Sequence, residues 1–177
     1  MRLPTLLLTA AALTAACGLR GAPLQETTID SVSAESVSTD VETTTEFHDQ
    51  VLAIGNDLTL NCDYLKVVAT RIGDKTATLG KYGKFRYMLA TGHVKIVQAG
   101  RVATCGRAEV FPNEDRVVLT EDPVVEIASE GYKASGPRMV LYRGQRRAVI
   151  EGLPGQHVHI TLPAIKDLGF PADKPSR

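Results

Sequence analysis

An all-β domain is the fold class that this sequence predicts, and three observations support it. Apolar and polar residues alternate with a period of two, as Val94 and Ile96 do around Lys95, and that period is typical of strands rather than helices. Gly, Pro, Asn and Asp interrupt these segments at short intervals, as in Pro112 to Asp115. The pattern also recurs along the chain, which predicts a coil of β-strands wound several times.

Three copies of one strand pattern occupy 51–65, 94–108 and 125–139. In each copy the apolar positions alternate and then slip by one residue, as between Cys62 and Leu65. A slip at the same place in every copy predicts a bulge or corner that turns the strand onto a second sheet. The copies therefore predict antiparallel strands that are shared between two sheets.

Composition limits the class of protein further. A chain of 177 residues suits one domain with a sizeable core. It has no Trp and only 5% aromatic residues, so the core must be built from Val, Leu, Ile and Ala. The 20 Lys and Arg residues equal the 20 Asp and Glu residues, so the net charge does not indicate nucleic acid as a partner.

The N-terminus has the form of a secretory signal peptide at 1–16. Its apolar run, Leu3 to Leu13, is shorter than the roughly 20 residues that a membrane span needs. Small residues then precede Cys17, which occupies the position of an acylated lipoprotein cysteine. Lipoprotein signals usually place Leu three residues before that cysteine, whereas Leu13 lies four before. Export to the periplasm is expected, with either acylation of Cys17 or simple cleavage nearby.

The segments between and around the copies are less regular. Residues 17–26 are expected to form a tether, and 27–46 are rich in Ser, Thr, Asp and Glu but β-prone near Phe47, which predicts one or two edge strands. The glycines and basic residues of 74–88 indicate an exposed connection with one helical turn. A last strand is expected at 158–162. The predicted domain is 27–163, followed by a flexible tail at 164–177.

The two remaining cysteines, Cys62 and Cys105, take matching places in their copies. In an oxidising compartment they either form a disulfide or remain two small buried core residues, because bridge geometry cannot be read from sequence. Neither belongs to a CxxC pair or has the spacing of zinc ligands, so a redox motif and a zinc site are not indicated.

No constellation of catalytic residues stands out. The serines lie in neither a GxSxG nor an SxxK motif. His157 and His159 share one strand face but lack a third ligand, so surface histidines are expected rather than a metal site, and no cofactor is indicated. A basic cluster fits either an anionic partner or a solvated hairpin; it comprises Lys133, Arg138, Arg143, Arg146 and Arg147.

The copies at 51–67 and 94–125, with 134–152 next, resemble the OstA-like family of periplasmic lipopolysaccharide-transport proteins, which includes the organic solvent tolerance N-terminal domains. The resemblance covers roughly 29–162. It implies a β-jellyroll of two facing sheets, open at its ends and able to stack edge to edge with similar domains. It also implies an apolar interior that binds acyl chains, each buried CH₂ contributing about 0.8 kcal/mol.

On that resemblance we expect a non-enzymatic protein that carries lipopolysaccharide, or a similar acylated glycolipid, towards the outer membrane. Its expected partners are other jellyroll transport proteins, and nucleic acid is not among them. Leu58 and Leu60 are expected nearest the mouth. The inward, ligand-binding candidates are Val51, Ala53, Leu58, Leu60, Val94, Ile96, Ala103, Met139 and Leu141.

Two features depart from the family, and the first is the possible lipid anchor at Cys17. Small residues stand where a groove should be lined by larger apolar side chains, at Ala103, Cys105, Ala134 and Gly136. An interior narrowed in this way is filled by its own side chains, so the alternative is a structural or assembly β-domain with a packed core and no lipid ligand.

Overall fold

Twelve strands and two short 3₁₀ turns make up the part of the chain that the computed structural model describes, residues 26–55 and 57–164. The 3₁₀ turns are Pro112–Glu114 and Ala128–Glu130. The strands are β1 Thr28–Asp30, β2 Ser33–Ser38, β3 Glu42–Gly55, β4 Leu58–Ile72, β5 Lys81–Gln98, β6 Arg101–Phe111, β7 Arg116–Thr120, β8 Val124–Ile127, β9 Tyr132–Ser135, β10 Arg138–Tyr142, β11 Arg147–Glu151 and β12 His159–Thr161.

The four long strands each belong to two sheets, because each bends near its middle. Sheet I has the strand order β2, β3, β4, β5, β6, β7, β10, β11. It contains the parts of β3 and β5 that precede the bend and the parts of β4 and β6 that follow it. Sheet II has the order β1, β3, β4, β5, β6, β8, β9, β12 and uses the other segments. All pairs are antiparallel. The expected all-β jellyroll of two facing sheets is confirmed.

The bends are β-bulges that lie next to one another across the sheets. The pairing of β3 with β4 shifts between His48 and Val51, and that of β5 with β6 shifts between Thr91 and Val94. Gly92 opens the second bend with φ +75°, a conformation that residues with a side chain rarely adopt. The corner that the phase slip predicts is therefore confirmed.

The core lies between the sheets and is almost entirely aliphatic. Val51 and Val94 come from sheet II and Leu65, Leu119 and Met139 from sheet I, and all five side chains are fully buried. Burial of these side chains, each worth roughly 1.5–3 kcal/mol, is what holds the two sheets face to face.

The edge segments agree with the sequence in part. The acidic, Ser- and Thr-rich region forms β1 and β2, so the predicted edge strands are confirmed, and β12 confirms the last strand. The predicted connection at 74–88 is wrong from Lys81 onwards, because β5 begins there and pairs with β4. Two register shifts in that pairing, on either side of Ala69, break the regular alternation that would have marked a strand.

Four predicted features lie outside the described residues: the signal peptide at 1–16, the lipid attachment site Cys17, the tether at 17–26 except Glu26, and all of the tail except Ala164. Within the described part, no helix is long and apolar enough to cross a membrane.

The two cysteines of the described part are both buried and free. Cys62 lies in β4 and Cys105 in β6, and β5 runs between them. Two strand spacings place their Cα atoms roughly 9–10 Å apart, beyond the roughly 7 Å limit for a disulfide. The structure therefore supports the prediction of two small core residues over that of a bridge.

Candidate functional site

The nine residues proposed from the sequence as an apolar groove all lie in the interior. Seven come from sheet II, and only Met139 and Leu141 come from sheet I. The buried ones are Val51, Ala53, Leu60, Val94 and Met139, and the half-buried ones that pack against them are Leu58, Ile96, Ala103 and Leu141. Their role in binding a ligand stays a prediction.

The middle of the interior is filled by the protein's own side chains. Leu65 and Leu119 of sheet I have no exposed surface and belong to the same cluster as Val51 and Val94 of sheet II. Because interiors of this kind pack as densely as organic crystals, an acyl chain finds no room there without displacing side chains. Space for a ligand must be sought at the ends.

An apolar groove of about 130 Å³ lies at the end of the jellyroll where β1 and β2 form the edge. Its volume is close to the roughly 150 Å³ of an apolar cavity that binds benzene, so it suits the end of one acyl chain. The lining combines β1 of sheet II and the residue before it with β3, β4 and β5 of sheet I: Thr27, Ile29, Phe47, Val67, Tyr82 and Phe85.

A row of hydroxyl groups borders this groove along the inner face of β3. Thr43 and Thr45 are buried there. Their hydroxyls pair with those of β2, with 2.9 Å between Ser38 Oγ and Thr43 Oγ1 and 3.0 Å between Ser36 Oγ and Thr45 Oγ1. The Tyr82 hydroxyl also hydrogen-bonds to Thr45. The lining of the groove is thus mostly apolar, and the Tyr82 hydroxyl connects it to this buried row.

Arg71 anchors the connection between β4 and β5 beside the groove. Its Nη2 donates to the carbonyl oxygens of Asp74 at 2.9 Å and Ala77 at 2.5 Å, and its Nη1 donates to that of Thr39 at 3.3 Å. The Cβ that any larger residue would place at Gly80 would lie 3.1 Å from Arg71 Nε, so the connection packs directly on the guanidinium. Arg71 therefore holds this connection against the β2–β3 turn.

A second cavity, of about 310 Å³, lies at the corner between β8, β9 and the segment before β12. His157 lines it, but within residues 26–55 and 57–164 no group of three or more His, Cys, Asp or Glu is placed to hold a metal ion. Polar and backbone-rich walls make it a poorer lipid site than the groove. The residues that line it are Asp122, Pro123, Val124, Ser135, Gly136, Pro137, Gln156 and His157.

The basic cluster does not form one patch. Arg138 pairs with Glu151 on the neighbouring strand, and Arg143 Nη2 lies 3.6 Å from Asp115 Oδ1. Lys133 belongs to β9 in sheet II, whereas Arg146 and Arg147 lie in the β10–β11 hairpin of sheet I. This placement fits the solvated hairpin better than a single anion site.

The two thiols are poor nucleophiles in the folded protein. Burial raises the pKa of Cys62 and of Cys105 to about 11. A thiol needs to ionise to react or to bind a metal, and at neutral pH these two remain protonated. Their chemistry is that of small apolar core residues.

None of the nine candidates from the sequence lines the groove, and the predicted mouth at Leu58 and Leu60 lines neither of the two cavities. The aromatic residues were the signal. The chain has only 4 Phe and 5 Tyr, and Phe47, Tyr82 and Phe85 all line the groove. In a protein without Trp, three aromatic residues within 74–88, at positions 82, 85 and 87, indicate a strand rather than an exposed connection.

Comparisons with known proteins identify the fold. No protein-family model matches the chain, and no curated protein matches it. Among solved structures, the chain is similar to LptH from Pseudomonas aeruginosa, described as the LptA homologous periplasmic component of the conserved lipopolysaccharide transport device. The TM-score is 0.60 at 13% sequence identity, over 79% of this chain and 96% of that one. The chain therefore has the β-jellyroll fold of the lipopolysaccharide-transport proteins that its sequence resembles.

Proposed function

We propose that this protein is a non-enzymatic periplasmic carrier that binds lipopolysaccharide, or a similar acylated glycolipid, and bridges part of its path to the outer membrane. The observation that carries the proposal is the apolar groove between the two sheets at an open end of a jellyroll. The fold shared with LptH, whose description names the lipopolysaccharide transport device, supports the same class of ligand.

The groove's chemistry suits a chain with a polar end. Ile29, Phe47 and Val67 offer apolar surface, and each CH₂ buried against them contributes about 0.8 kcal/mol. Thr27 and Tyr82, which also line the groove, carry the hydroxyl groups that could hydrogen-bond to a hydroxyl or ester group of the ligand. The phosphorylated sugars of a glycolipid would remain outside in water.

Bridging would use the free edges of the jellyroll. Among residues 26–55 and 57–164, each edge strand pairs on one side only: β1 and β2 with β3, β11 with β10, and β12 with β9. A strand with one unpaired side presents backbone N–H and C=O groups to a partner strand, so a similar jellyroll can add itself at that edge. Stacking would place the open end of one domain against the open end of the next.

A second candidate keeps the fold and removes the ligand. Side chains fill the centre of the interior, with Leu65 and Leu119 fully buried, and small residues at Ala103 and Ala134 bring the sheets close. This observation favours a structural or assembly domain whose stacked edges matter and whose groove is only a packing defect.

Substitution by tryptophan on two paired strands separates these candidates. Ile29 lines the groove and Ala53, its register partner on β3, lies in the packed core. Ile29→Trp should fill the groove and leave the melting temperature nearly unchanged. Ala53→Trp should lower stability by about 1–3 kcal/mol, because it overpacks a filled site. Ile54→Trp, on the exposed face one residue along, is the control for added bulk.

Binding would be read by photo-crosslinking to purified lipopolysaccharide from benzoylphenylalanine at position 85, in place of Phe85. The carrier hypothesis expects crosslinking in the wild-type background and with Ile54→Trp, and its loss with Ile29→Trp. A wild-type background that never crosslinks, with a folded and stable protein, would leave the structural candidate.

A further inference from the structure

An exposed apolar tip projects from one end of sheet I, where the β2–β3 turn meets the β4–β5 connection. We define the tip as Val41, Ile72 and Leu79 together with Lys75, Lys81 and Lys84. The Arg71 N–H donates to the Val41 carbonyl at 2.9 Å, and Ile72 pairs with Lys81. The guanidinium of Arg71 holds the connection between them, as described above, so the tip is a structured surface.

The apolar side chains of the tip are unusually exposed. Val41 is 66% exposed, Ile72 51% and Leu79 75%. Val118 and Val140, in the middle of the same sheet, provide a contrast. Their side chains point outward, away from the core residues next to them in sequence, yet neighbouring side chains bury both. Single exposed apolar residues are ordinary, but three gathered on adjoining turns indicate a surface that meets an apolar partner.

The charge around the tip is positive. Within the described part of the chain, Lys75, Lys81 and Lys84 form no salt bridge. The nearby acids are largely engaged. Glu42 lies 3.8 Å from Arg86, and the Asp74 carboxylate accepts hydrogen bonds from the Thr76 N–H at 2.8 Å and its hydroxyl at 2.7 Å. Asp40 adds one further negative charge to the turn.

We propose that the tip binds the surface of an anionic lipid bilayer, with Val41, Ile72 and Leu79 entering the headgroup boundary and the three lysines contacting lipid phosphates. Apolar side chains flanked by lysines have the composition of interfacial membrane-binding segments. A protein partner is less well matched, since protein interfaces are depleted in lysine.

The position of the tip would give this binding a purpose. Tyr82 and Phe85 line the groove and lie within the first five residues of β5, which begins at Lys81. Both side chains keep more than 40% of their surface exposed. The groove would then open beside the membrane, so that an acyl chain enters it with little exposure to water. This step rests on the proposed function, whereas the bilayer binding itself does not.

The absence of Trp from the chain provides a clean probe. Leu79→Trp places the only tryptophan on the tip, and Leu153→Trp places it after β11, where Leu153 is 58% exposed at the far edge of the sheet. Both variants would carry Cys17→Ser, so that no acyl anchor contributes. Each would be mixed with vesicles of phosphatidylglycerol and, separately, of phosphatidylcholine.

We expect a blue shift of Leu79→Trp emission and quenching by brominated lipid in phosphatidylglycerol vesicles, and neither effect for Leu153→Trp. Replacing Lys75, Lys81 or Lys84 by Gln should weaken partitioning roughly fivefold for each lysine. Unchanged Leu79→Trp emission, or equal quenching of the two probes, would overturn the proposal. A blue shift of the emission that appears when protein is added without lipid, and not when vesicles are added, would also overturn the proposal. Failure of crosslinking at position 85 would bear on the groove and leave this result intact.

Discussion

Cys62 and Cys105 show at the scale of single residues how burial overrides the chemistry that a sequence suggests. Two cysteines at matching positions, in a chain whose sequence predicts export, are candidates for a disulfide. The structure instead places β5 between them and buries both thiols. Sequence could predict that they point the same way, because period and phase are local properties. It could not predict the separation, which depends on which strands become neighbours.

The thiols give a pH-dependent contribution to stability whose sign follows from their burial. The folded-state pKa of each is about 11, above the ordinary value of 9.0. Their contribution is therefore fully present below pH 9 and is lost as the pH rises to 11, because the unfolded chain loses these protons first. We expect the Cys62→Ala/Cys105→Ala variant to lose less of its own unfolding free energy between pH 8 and 11 than the wild type loses.

The measurement is urea denaturation at each pH, with iodoacetamide labelling as a second readout. Native wild type should resist alkylation at pH 8 and label rapidly in urea. Parallel pH profiles for wild type and variant, or fast labelling of the native protein, would show that the thiols are not protected by burial.

The strands and bends were predictable where the sequence is regular. Each of the copies at 51–65 and 94–108 predicted a hairpin, and each predicted the corner that follows its pair of inward residues. The start of β5 was not predictable, because bulges on either side of Ala69 in β4 remove the alternation from its partner. The groove was missed for the same reason, since Tyr82 and Phe85 lie in that irregular stretch. Alternation of apolar and polar residues with a period of two therefore identifies only strands without bulges.

The assignment of a buried face and an exposed face to β5 can be tested by placing Asp at either of two adjacent positions. Val94 is fully buried and Lys95, next to it, is exposed. Val94→Asp should cost several kcal/mol, because it buries an unpaired carboxylate, which is a large share of the 5–15 kcal/mol that holds a typical domain together. Lys95→Asp should melt within a few degrees of wild type. Equal melting temperatures for the two variants would contradict the assigned faces.

At the scale of the whole molecule, the architecture leaves its ends open and its centre closed. The centre is closed because side chains of both sheets fill it, with Leu65 and Leu119 fully buried. The ends are open because, in the part of the chain that the structure describes, β1, β2, β11 and β12 pair on one side only. The sequence resemblance predicted the open ends, but whether the centre is filled depends on the distance between sheets, and no local pattern encodes that distance.

An acyl anchor is a prediction about the whole chain, and it depends on Cys17, which lies outside the described residues. If Cys17 is acylated, the exported protein should partition into detergent, and Cys17→Ser should release it into the soluble periplasmic fraction. Intact mass gives the direct answer: an N-terminus elsewhere, or a Cys17 without added lipid, would remove the anchor.

Edge-to-edge assembly would let closed-centred domains still act in a row, and β12 is the strand to test. Ile160 pairs with Ala134, whose side chain is buried in the core, so Ile160 faces the interior at the open edge and is 47% exposed. Thr161 follows it and points to the outer face. A charge on an edge strand opposes strand addition, and at Ile160 it would also interrupt the apolar surface that a stacked partner covers. Ile160→Lys should therefore reduce assembly far more than Thr161→Lys, with little effect on the melting temperature of either variant.

Sedimentation velocity over a hundredfold range of protein concentration would measure this difference. Wild type and Thr161→Lys should gain faster-sedimenting species as concentration rises, and Ile160→Lys should remain monomeric. If the wild type stays monomeric throughout, β12 does not join copies of this chain, and a different jellyroll must then supply the partner strand. If both lysine variants assemble as the wild type does, the contact lies at another edge. Strands β1 and β2, beside the groove, then become the strands through which a neighbouring jellyroll would be joined to this one.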